Sequence, residues 1–168
     1  MLYLSTFNLN INLIMYTGLV HLHNLLRWVI LLLLITGIVR HFIGMTRKKP
    51  FTSGDKKNDL FLMISAHIQL LLGIIQWFAG DVGLKQVRNV ASFGEIMRTQ
   101  ALRFWTVEHT VGMLIAIILI TIGRGVAKKS IPDDSKHKRA FWLFLIALII
   151  IVATIPWPGR GAIGRPLL

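Results

Sequence analysis

Four histidines stand inside apolar runs or at their mouths. His21 and His23 fall in TGLVHLHNLLRWVILLLLITGIVR, His67 in LFLMISAHIQLLLGIIQWFA and His109 in RFWTVEHTVGMLIAIILITIG. A neutral imidazole offers one nitrogen lone pair to a metal and one N–H to an acceptor. Ionisable groups cost free energy in hydrocarbon, so their presence there points first to function. Cysteine is absent. That excludes disulfides, iron–sulfur clusters, thiolate metal sites and covalent haem attachment through CxxCH. Imidazole ligation of a haem iron remains, with hydrogen bonding between helices as the competing use.

The elements that must position these residues are apolar segments of membrane-spanning length, about 20 residues each. They predict an all-α, four-helix transmembrane bundle over residues 17–158, with spans at about 17–40, 60–79, 103–123 and 140–156. Residues 1–16, uncharged after the initiator and rich in Asn, read as a tail or as a start taken too early, and 159–168 read as a C-terminal tail. At 54% hydrophobic and 15% charged the chain has a membrane composition. The net charge of +12 would suggest nucleic acid in a soluble protein. Its placement argues otherwise. Arg40, Arg47, Lys48, Lys49, Lys56 and Lys57 follow the first span, and Arg124, Lys128, Lys129, Lys136, Lys138 and Arg139 follow the third; together they are most of the 19 Lys and Arg. The positive-inside bias then puts loops 41–58 and 124–139 in the cytoplasm and both termini outside, in a bacterial inner membrane. The expected surroundings are lipid and no nucleic acid.

Depth selects which histidines can share a ligand. His23 lies 17 residues from Arg40 and His109 lies 15 from Arg124, giving heights of about 25 and 22 Å at helical rise. His67, nearer the start of its span, sits lower. His21 and His23 are about 200° apart on a helix, so one ion cannot take both. His23 shares a face with Arg27, and His109 is followed one turn on by Gly112, where flat space would suit a porphyrin. Arg27 and Arg103 are placed to pair with propionates. Glu108 reads as a partner for Arg103, while His41 and His137 read as solvated loop residues. The fourth span, with no ionisable side chain, is assigned no chemistry. This pattern suits one haem b rather than two, held by His23 and His109, with His21 and His67 as alternates. A quinone headgroup at His67 and Gln69 is disfavoured, because those side chains point about 200° apart.

The segments HLHNLLRW, AHIQLLLGIIQWF, EHTVGM leading to ITIGR, and IPW resemble a group of small four-span bacterial membrane proteins labelled cytochrome b or cytochrome b-like. The resemblance covers most of the chain after Met15. It implies haem ligation by His21 or His23, His67 and His109. The function expected is single-electron transfer in or beside a respiratory chain, as a carrier or redox subunit with a partner complex rather than a stand-alone enzyme. Two rivals are a cofactor-free assembly or packing subunit of a membrane complex, and a small ion or metal transporter. The transporter ranks last, since neither a midplane carboxylate nor an inverted repeat is visible.

Overall fold

The computed structural model describes the backbone of residues 2–80, 83–90 and 92–167, with side chains from Met15 onward. The expectation for residues 1–16 falls mainly on side chains outside the described ones. Helix α1 runs Leu2–Thr46. It turns at Lys48, whose φ of 48° lies in the left-handed region. Helix α2, Ser53–Ala79, starts ahead of its apolar run because Thr52 and Asp55 form a capping box, each side chain bonded to the other's backbone N–H. Three short helices follow, α3 (Leu84–Asn89), α4 (Phe93–Arg98) and α5 (Gln100–Arg103). A π-helical turn over Phe104–Glu108 leads directly into α6, His109–Val126. Helix α7, Asp133–Thr154, begins after Pro132. It ends where Pro156 forces Ile155 into extended backbone.

Four helical stretches are long and apolar enough to cross a membrane: Met15–Thr46, Ser53–Asn89, Gln100–Val126 and Asp133–Thr154. They pack as a ring in the order α1, α2, α6, α7, so that α1 and α6 are diagonal partners. Leu34, Leu62, Ala116, Ile120, Phe144 and Ala147 fill the centre with no exposed surface. Leu32, Phe61, Leu71, Ile118 and Ile149 point outward, as lipid-facing residues should. Lipid is as apolar as the core, so close packing and interhelical hydrogen bonds must hold the ring together.

Phe144 shows how that packing is set. Its ring wedges between Gly37, where an added Cβ would lie 3.2 Å away, and Gly123, where it would collide with the ring edge. Gly123→Val should therefore push Phe144 out of the centre and destabilise the bundle by about 1–3 kcal/mol. Thermal unfolding in detergent checks this.

The ring has two distinct ends. At one, the basic-loop end, lie the α1–α2 and α6–α7 connections. At the other, the tail end, residues 155–167 fold back over the bundle. Arg160 donates to the carbonyls of Ala153 and Ile155, closing the C-terminus of α7. Arg165 stacks on Trp105, and Trp28 meets Trp157 edge-on at 6.3 Å.

Candidate cofactor site

At the tail end, α1 and α6 bring His23 and His109 within electrostatic reach of each other and of Arg27. The helical geometry of α1 turns His23 inward and leaves His21 exposed, so only one of the HLH pair faces the bundle. His109 sits immediately after the π turn, its backbone N–H bonded to Phe104 O. That extra residue per turn re-aims the side chains beyond it. Phe104, with 1% of its surface exposed, and Trp105 flank the imidazole, their rings centred 5.9 and 5.7 Å from it.

The His109 ring is anchored by Nδ1, which lies 2.9 Å from the carbonyl of Thr154 in the last turn of α7. A carbonyl can only accept, so Nδ1 carries the proton and Nε2 presents a lone pair. His23 differs. Its Nδ1 is buried with no hydrogen-bond partner among the described residues. A Cβ added at Gly73 of α2 would lie in ordinary van der Waals contact with its Cε1, at 3.5 Å. Two glutamines fasten α2 to α1 beside it, Gln69 donating to His23 O at 3.0 Å and Gln76 to Leu19 O at 2.9 Å.

Arg27 is 8% exposed, and its Nη2 donates to Leu167 O at 2.6 Å. The guanidinium lies against Trp28, while its Nε is buried without a partner among the described residues. Arg103 lies at the same end and is engaged by Glu108 at 2.7 Å and by Met97 O, as the sequence suggested for the Arg103–Glu108 pair. His67 does not join the site. It is exposed on the outer face of α2, with Nδ1 2.8 Å from Met63 O of its own helix. Starting α2 at Ser53 does not turn it inward, and Gln69 is committed to α1.

Three expectations need correction. Gly112 offers no flat space for a macrocycle, because a Cβ there would lie 2.5 Å from Thr154 Cγ2; the glycine lets α6 approach α7. The fourth helix, assigned no chemistry, supplies Thr154 O as the hydrogen-bond partner of His109 and carries His137 at its other end. His41 and His137 are not solvated loop residues. They are 0% and 1% exposed, since α1 and α7 extend past the apolar runs and carry both rings into the bundle.

The site offers two imidazole donors on diagonal helices, one oriented through its far nitrogen by Thr154 O, with an arginine beside both. Among the described residues, no three His, Asp or Glu side chains are placed to hold a metal ion together. Sequence reasoning missed Phe104, Trp105 and Thr154 because their contributions depend on the π turn and on a backbone carbonyl. No family model, curated protein or solved structure matches the chain.

Proposed function

We propose that this is an integral membrane b-type cytochrome in which His23 and His109 would hold one haem. A haem bound there supplies a one-electron redox couple. The rest is the work of the chain's own side chains. Thr154 O fixes the ring plane and tautomer of His109 and raises its basicity as a ligand. Phe104 and Trp105 keep water from it, and Arg27 places positive charge where propionates would need it. In this reading the tail end faces the outside and the basic loops face the cytoplasm, following the distribution of Lys and Arg. The redox partner belongs to a respiratory chain.

The observation that carries the proposal is the buried Nδ1 of His23, which has no hydrogen-bond partner among the described residues, while the Nδ1 of His109 is satisfied by Thr154 O. A histidine kept only to join helices would use that nitrogen. The second reading, a cofactor-free packing subunit, draws on the bonds that Gln69, Gln76 and His109 make to neighbouring helices. Haem titration into the purified protein separates the two. The cytochrome reading expects absorbance to saturate at one haem per chain. A packing subunit would show no saturable uptake.

A further inference from the structure

Three side chains from three helices meet at the basic-loop end, far from the histidine pair described above. His41 of α1, Asp59 of α2 and His137 of α7 are all buried, none with more than 1% of its surface exposed. His41 Nε2 lies 3.1 Å from Asp59 Oδ1, and His41 Nδ1 lies 3.0 Å from His137 Nδ1. Phe51 stacks on His41 at 5.5 Å and 16°, and Phe144 closes the other side at 5.5 Å. His137 is pressed over Gly44, where a Cβ would come within 2.5 Å of three ring atoms. Two polar atoms of the group have no partner among the described residues: His137 Nε2 and Asp59 Oδ2, one at each end of the row.

We propose that Asp59, His41 and His137 form a proton-binding chain that takes up one proton from the basic-loop side of the membrane. The two facing Nδ1 atoms need complementary tautomers, since one must donate and the other accept. With Asp59 ionised, His41 donates from Nε2 to the carboxylate and accepts at Nδ1 from His137. That leaves a bare lone pair on His137 Nε2. His137 borders a cavity of about 320 Å³ shared with Arg40, Lys49, Pro50 and Thr52, the side from which a proton would reach it.

A proton arriving from the cavity forms a new N–H bond at His137 Nε2. The Nδ1 proton of His137 then passes to His41 Nδ1, and the Nε2 proton of His41 passes to Asp59. No electrons are exchanged, neither hydrogen bond is lost, and each merely reverses direction. The chain goes from one net negative charge to none. The same proton can rest on either imidazole instead, opposite the carboxylate, so the three residues share one proton as a unit.

The charges around the chain are largely spoken for. Arg40 of α1 pairs with Asp55 of α2 at 2.8 Å. On α7, Asp133 accepts from Phe51 N and pairs with Lys136 at 3.1 Å. Lys49 stands on the cavity wall, and α6 faces Phe144 with Gly123. The arrangement does not depend on haem at the opposite end.

Ring-nitrogen NMR of histidine-labelled protein in detergent, followed against pH, tests this with or without haem. In the wild type, the ring nitrogens of His41 and His137 should change together in one step. Asp59→Asn keeps an acceptor for His41 but cannot take the proton, and the joint step should be lost. His137→Phe should slow deuterium exchange at His41, whose route to solvent it closes. Rings that keep fixed tautomers throughout, or that titrate separately in the wild type, would overturn the proposal even if neither variant folds. So would a joint step surviving in Asp59→Asn.

Discussion

Replacing His109 by leucine should give a folded protein that retains no haem through purification. The substitution removes the imidazole proposed to hold the haem, together with the ring's bond to Thr154 O. Losing that neutral hydrogen bond costs stability only about 1 kcal/mol, too little to unfold the bundle, so loss of colour would report on ligation. His23→Leu should behave the same way. His21→Leu and His67→Leu should retain full haem occupancy, because both residues lie on the outer surface. Absorbance per chain, measured beside circular dichroism, distinguishes the two groups. Equal haem content in all four variants would count against His23 and His109 as ligands.

The largest stability effect should come from the other end of the bundle. In Asp59→Leu the His41 Nε2 group loses its partner while remaining fully buried. Leaving a buried polar group unpaired, with a partly ionic bond broken, costs about 2–4 kcal/mol. Asp59→Asn keeps an acceptor in place and should cost less. Unfolding midpoints in the same detergent give the comparison. A leucine variant as stable as the asparagine variant would mean that the carboxylate position contributes little to the fold.

The four apolar stretches were legible because hydrocarbon tolerates so few alternatives to a long apolar helix. That His21 and His23 take opposite faces follows from helical angle alone, and the Arg103–Glu108 pair follows from proximity; which of the two histidines faces inward only the packing shows. What sequence could not show depends on partners distant in the chain. Gly112 reads as open space until Thr154 of another helix is placed against it. His41 and His137 sit among Lys and Arg, and composition assigns them to solvent. Only the continuation of α1 and α7 past the apolar runs carries them inside. Asp59 held the available signal, as an acid directly bordering an apolar run in an otherwise basic region.

The central claim is that His23 and His109 grip one iron porphyrin within the membrane. An optical spectrum of the protein, purified in detergent from cells well supplied with haem and recorded before and after dithionite, tests it most directly. The expected result is a pigment whose bands sharpen on reduction in the manner of a six-coordinate b-type haem. A colourless preparation from those cells, with the four helices intact, would contradict it.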